Sequence, residues 1–142
     1  MAQGDLTVFD EAKLALLDGT HDLDTHVFKV MFISNATVPA AGDLTPVKAD
    51  YTEVSGGNFV AGGDTMTVSL TESAGTVTYD FTTNISNAKN ASNPTNVYYA
   101  VCYNDTDAGK AALLFVEIDT TGADGTAGLI SLTWGANIFT LS

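Results

Sequence analysis

From residue 64 to residue 81, apolar and polar side chains take strict turns. Met66, Val68 and Leu70 alternate with Thr65, Thr67, Ser69 and Thr71, and after Glu72-Ser73-Ala74-Gly75 the residues Val77, Tyr79 and Phe81 alternate with Thr76, Thr78 and Asp80. A period of two gathers each set on one side of an extended strand and would scatter it around a helix. Two such runs joined by a short turn predict an antiparallel hairpin with one packed face and one wet face, as in a sandwich sheet.

Most of the remaining chain is strand-like as well. Residues 25–33 place His26, Phe28, Val30 and Phe32 on one face and Val27, Lys29, Met31 and Ile33 on the other. Both faces are largely apolar, which predicts a central strand covered on both sides. Further strands are expected at 97–103, 112–118 and 128–134, with short ones at 50–54 and 138–141. One helix is expected at 9–17, with Asp10 and Glu11 near its positive end and Gly19 as its stop. Residues 35–63, rich in Gly, Pro, Ala and Thr, and residues 82–96, rich in Asn, Ser and Thr, read as loops; 120–125 reads as a turn. Together these predict a mainly β fold, an antiparallel β-sandwich with one short N-terminal helix. No repeat or linker divides the chain, so residues 1–142 are expected to form a single sandwich-like domain with a short N-terminal arm.

Composition excludes several classes of function. The chain has 142 residues, no Arg, five Lys and seventeen acids, for a net charge of −12. Nucleic acid binding needs clustered Lys and Arg to neutralise phosphates, so no nucleic acid partner is expected. No apolar stretch reaches the roughly 18 residues of a membrane span, so no membrane partner is expected either. The opening Met1-Ala2-Gln3-Gly4-Asp5 has neither a basic nor an apolar leader region, which predicts synthesis and assembly in the cytoplasm. The single cysteine, Cys102, sits in an apolar run and reads as a buried structural thiol. Charged residues make up only 15% of the chain, against roughly 25% in an average globular protein, as expected where much of the surface faces other protein.

Candidate chemistry is sparse. Asp18, Asp22 and Asp24 crowd a turn beside His21 and share the alternation of a calcium loop, but lack the spacing and closing Glu of an EF-hand. A solvated acidic turn is the plainer reading and a weak divalent site the other. The acidic turns at 104–107 and 119–124 carry Asp and Asn because these residues tolerate left-handed dihedrals. His21 and His26 are the only candidates for a general base and read as structural; the Gly pairs at 56–57 and 62–63 lack nucleotide-binding spacing. No catalytic residue, cofactor or metal site is therefore expected, and an enzyme is not. Tyr98, Tyr99 and Tyr103 fall in one strand. Tyr98, with Ala100 and Cys102, is expected to face the helix, and Tyr99 and Tyr103, with Val101, the other sheet.

The order of segments carries a resemblance. Leu-Leu-Asp-Gly at 16–19 leads through Asp22-Leu23-Asp24 to Thr-His-Val-Phe-Lys-Val-Met-Phe-Ile at 25–33. There follow Glu-Val and Gly-Gly-Asn-Phe within 53–59, Tyr-Tyr-Ala-Val-Cys-Tyr at 98–103, Leu-Phe-Val-Glu-Ile-Asp at 114–119 and Leu-Thr-Trp-Gly-Ala-Asn-Ile-Phe-Thr-Leu at 132–141. This pattern, which covers nearly the whole chain, resembles small structural proteins of tailed bacteriophages, variously head decoration or tail-fibre-like. Such proteins usually carry an Arg before the alanine–valine strand, where this chain has Tyr98-Tyr99. The resemblance implies a virion component, most simply a capsid cement or decoration protein on the outer capsid surface. Its partners would be the major capsid protein and further copies of itself, as a dimer or trimer. A tail or fibre adaptor and a host-glycan-binding module, the latter through the 82–96 loop and exposed Tyr, are the alternatives. The segments apolar enough to lie on a partner are 2–8, with Ala2, Leu6 and Val8, and 36–47, with Val38, Leu44 and Val47.

Overall fold

A computed structural model describes residues 4–135 and 137–141. The order of elements is β1 (Leu6–Val8), α1 (Asp10–Asp18), β2 (Phe28–Ile33), β3 (Asp64–Thr65), β4 (Val68–Ser73), β5 (Thr76–Phe81), β6 (Ile85–Asn87), β7 (Tyr99–Asn104), β8 (Ala112–Glu117), β9 (Ile130–Leu132) and β10 (Phe139–Leu141), with a 3-10 turn at Lys48–Asp50. Three sheets result: a five-stranded sheet in the order β1-β8-β7-β2-β3, a three-stranded sheet β10-β5-β4 and a pair β6-β9. Every pairing is antiparallel, and the sheets pack on one another as a β-sandwich.

The centre of the molecule is β7, flanked by β2 and β8. Every residue of β8 is buried, and so is every residue of β2 except Lys29. Residues opposite one another in a ladder share a face, so Phe28, Val30, Ala100, Cys102 and Leu114 lie on one side and Met31, Ile33, Val101 and Phe115 on the other. The first side meets the three-stranded sheet, where Phe28 contacts Tyr79 edge-on with ring centroids 6.3 Å apart. The second is covered by Phe9, tilted against Phe115 at 4.9 Å, by Tyr51 stacked on Phe9, and by Tyr103, whose hydroxyl donates to the Gly62 carbonyl. Tyr103 and Val101 thus lie on the side of Tyr51 and Gly62, while Cys102 lies on the side of the three-stranded sheet and Phe32, opposite Ala100 on that same side, meets Phe59 edge-on at 5.0 Å. The expected orientation of this strand was inverted, because the irregular segment, not a second sheet, supplies one of the two covers.

Other differences have local causes. The helix begins one residue later than expected, since Phe9 stays extended and is fully buried against the sheet; Gly19 ends it at φ 86°. Residues 25–27 leave the expected strand because the Asp22 carboxylate accepts from Asp24 N, Thr25 N and Thr25 Oγ1 and closes a turn. Residues 82–96 are not an open loop. Ile85–Asn87 pairs with Ile130–Leu132, and Asn93 is buried, accepting from Asn58 N and donating to the carbonyls of Ala88 and Gly125. One amide side chain there joins three loops, which a polarity pattern reads as exposure. Gly63 has no alternative: at φ 84° a Cβ would stand 2.5 Å from the Val30 carbonyl oxygen.

Two substitutions test this packing. Ala74 and Gly75 make the β4–β5 turn with φ of 52° and 82°, the mirror-image geometry that suits Asn-Gly and costs Ala about 1 kcal/mol. Ala74→Asn should therefore raise the denaturation midpoint by the equivalent of about 0.5–1 kcal/mol, and a lower midpoint would count against the turn assignment. The Tyr79 hydroxyl is buried without a hydrogen-bond partner. Tyr79→Phe should leave stability unchanged or raise it by about 1 kcal/mol, as an unmet polar group is removed; a clear loss in thermal melts would show that the hydroxyl is satisfied.

Candidate functional site

The helix stands beside β8 and leaves a cleft against the chain that leads into the sheet. Glu11, Leu14, Ala15 and Asp18 line one wall at helical spacing, and Thr45, Pro46, Val47, Ala111 and Ala112 line the other, enclosing about 180 Å³. Backbone bonds hold the walls: Asp10 N to Ala41 O at 2.8 Å, Lys48 N to Lys110 O at 3.0 Å and Ala112 N to Pro46 O at 2.8 Å. The apolar lining is mostly alanine, with Pro46, Val47 and Leu14, and exposed large apolar side chains occur on the same two stretches of chain. Leu17 is 85% and Leu44 84% exposed, with Leu14 and Val38 also more out than in. The only charges on the lining are acidic, and the last turn of α1 carries no base to offset its own negative end. Chemically, this face suits an apolar side chain flanked by a cation.

Beneath the cleft, the two histidines come together. The Asn104 amide oxygen accepts from Thr106 N and Asp107 N, both at 3.1 Å, which fixes the amide's orientation. Its nitrogen is then a donor, directed at Thr20 O (2.9 Å), His26 Nδ1 (2.8 Å) and His21 Nδ1 (3.3 Å). The amide has two hydrogens for these three atoms, and His26 Nδ1, the nearer ring nitrogen and also the acceptor for Asp22 N at 3.4 Å, takes one of them. Nε2 of His21 is buried and has no hydrogen-bond partner; the Ala112 carbonyl lies close enough to favour the charged ring but not in bonding geometry. Burial outweighs that carbonyl and the Asp107 and Asp18 carboxylates, and with the nearby His26 it holds the His21 pKa below its usual value. The acidic turn that contains Asp18 and Asp22 is a set of side-chain caps on backbone N–H groups: Asp18 bonds Thr20 N and Asp22 bonds Asp24 N. Among the described residues, no three His, Cys, Asp or Glu side chains gather closely enough to hold a metal ion.

A second recess, about 430 Å³, is lined by Lys48, Lys110, Tyr51, Glu53 and the 108–109 turn. Its cations are engaged. Lys29 and Lys110 both reach the Asp105 carboxylate at 3.0 Å, holding its pKa below the usual range, and Lys48 lies 3.9 Å from Glu53 and 5.2 Å from the Tyr103 ring centroid. Burial, with Asp105 and Glu53 adding to it, pushes the Tyr103 phenol up to about 12.

The residues expected at a partner surface divide accordingly. Val38 and Leu44 are exposed, and Val47 lines the cleft while bridging to Ala111. Leu6 and Val8 are half-buried in β1, opposite Val116 and Leu114; Ala2 lies outside the described residues. Leu14 and Leu17 carry no expectation from the sequence beyond the helix itself; with Ala12 the one buried helix residue, helical spacing turns both of them outward. No described helix is long and apolar enough to cross a membrane.

The Asn104 knot makes stability depend on pH. Because the folded-state pKa of His21 lies below its unfolded value, its neutral form stabilises the fold above about pH 6.5, and that contribution is lost as pH falls through the folded-state pKa. Thermal melts should show a falling midpoint from neutral pH to about pH 5, with His21→Gln flattening the dependence; an identical slope in both proteins would overturn it. Compared with known proteins, the chain matches no family model, no curated protein and no solved structure.

Proposed function

We propose that this chain is a structural protein of a bacteriophage particle, a cement or decoration protein that docks on the outer surface of the major capsid protein shell and stabilises it. The observation that carries the reading is the face built by α1 and residues 38–47. There, Leu14 lines a cleft whose charges are acidic, and Leu17 and Leu44, each next in sequence to a lining residue, are exposed. Clusters of exposed large apolar side chains mark interfaces. The resemblance of the segment order to phage structural proteins supplies the kind of partner. A net charge of −12 suits a basic shell surface and disfavours contact with a packaged genome. The exposed leucines are few, and a stable standard interface buries roughly 800 Å² per partner. Strength would come from many copies acting together and from contacts around the patch.

Imaging of purified particles tests the reading. A regular outer-shell lattice supports it, a few copies at the tail move the protein to the adaptor role, and absence from particles removes both. The docking face has its own test, which is occupancy of purified shells by the double variant Leu14→Asp, Leu44→Asp. Each leucine taken from water into an interface contributes about 1.5–3 kcal/mol, so affinity for the shell should fall about a hundredfold or more and occupancy with it, with the melting temperature unchanged. Wild-type binding should also weaken as salt rises. Full occupancy by the variant would show that another face docks.

A further inference from the structure

The three-stranded sheet has an open edge at β4, which pairs with β5 on one side and with no strand on the other among the described residues. The two-residue turn makes Ser73 and Thr76 a hydrogen-bonded pair, and ladder alternation makes Thr71–Thr78 and Ser69–Asp80 the next such pairs. The bond from Thr82 N to Thr67 O, 2.9 Å, continues the same phase. The N–H and C=O groups of Val68, Leu70 and Glu72 therefore point away from β5. Edges of this kind are usually blunted by charges, Pro or a bulge; residues 68–73 pair with β5 without a register shift, contain no Lys or Pro, and carry one charge, Glu72, which sits at the turn end and accepts from Gly75 N.

The apolar face of this sheet also runs past the core. Val68, Leu70, Val77, Tyr79, Phe81, Phe139 and Leu141 share it, because each lies opposite another member of the set or two residues along the same strand. Tyr79 and Phe81 are buried at the sandwich end, but towards the turn Leu70 is 42%, Val77 37% and Leu141 65% exposed.

We propose that β4 pairs antiparallel with β4 of a second copy, about a two-fold axis at Leu70, joining the two three-stranded sheets into one. In that register Leu70 lies opposite Leu70 of the second copy, and Val68 lies opposite Glu72. The outward-pointing residues are the ones brought into hydrogen-bonded pairs, each pair exchanging two bonds. The two Leu70 side chains meet on the exposed apolar face beside Val77. Each Glu72 faces a valine, and the two carboxylates stand about 13 Å apart along the strands, beyond the screening length at physiological salt. A register centred on Ser69 or Thr71 would pair only two of the three outward-pointing residues with one another, so Leu70 is the centre that uses the whole edge. The pairing takes nothing from α1 or residues 38–47 and is independent of the docking reading.

Sedimentation equilibrium of the full chain, from low to high micromolar, tests the pairing. Wild type should dimerise with concentration, and more strongly at high salt because two copies of charge −12 repel, the opposite salt dependence from docking on a basic shell. Leu70→Lys should weaken association about tenfold or more, while Thr71→Lys, on the wet face of the same strand, should leave it intact. A monomer at every concentration, or a dimer that both variants spare or both abolish, overturns the proposal. Amide hydrogen exchange on wild type covers the case of a variant that does not fold. Val68, Leu70 and Glu72 amides should gain protection as concentration rises, and fast exchange throughout overturns it.

Discussion

Burial of β7 and its two neighbours on both faces sets the terms for everything around them. A strand with one wet face needs a single cover; these need two, and a chain of this length builds only one of them from a regular sheet. The other is assembled from Phe9, Tyr51 and the irregular segment that follows, tied down by Tyr103 and by the approach of Gly63 to Val30. Side-chain amides and carboxylates take over the hydrogen bonding that strands would otherwise provide: Asp43 on Ala40 N and the Tyr51 hydroxyl, Asn93 across three loops, Asn104 between two turns. Polar residues in this molecule mostly serve backbone satisfaction within the fold.

That allocation shapes the surfaces left over. With most acids capping turns and most lysines paired, the sites free to meet another molecule are apolar ones on an acidic ground. Two are separable in space and in chemistry. One, beside α1, is an acid-lined cleft with Leu14 on its wall and suits an apolar knob flanked by a cation. The other, at β4, is an unprotected ladder edge and suits a strand. A particle component would use both kinds at once, one to hold the shell and one to reach its neighbour.

The alternating residues of 64–81 made the hairpin legible because one face is packed and one is wet, and the doubly apolar 25–33 run announced a central strand for the opposite reason. What could not be read was covering by non-repetitive chain. Nothing in the pattern of 43–63 says that it lies on Val101, and no periodicity marks Asn93 as buried, since its role depends on three loops that meet only in the fold. Val38 and Leu44 were legible as surface candidates through their loop context. Leu6 and Val8 form an edge strand beside β8 and stay half-buried there. His26 was assigned to a strand face, whereas the Asp22 turn ahead of β2 swings it onto Asn104.

Cys102 gives the central ladder an unusual chemical silence. It is the chain's only thiol, fully buried on β7, and burial drives its pKa far above that of a free cysteine. The thiolate that would carry oxidation, disulfide exchange or metal capture is therefore suppressed for as long as the sheet holds. Copies gathered at high local density, in air and over long storage, have no covalent route to cross-link through sulfur while folded. A thiol-reactive dye added to such a preparation would label only molecules whose sheet has opened, so the chain carries a built-in clock for its own unfolding.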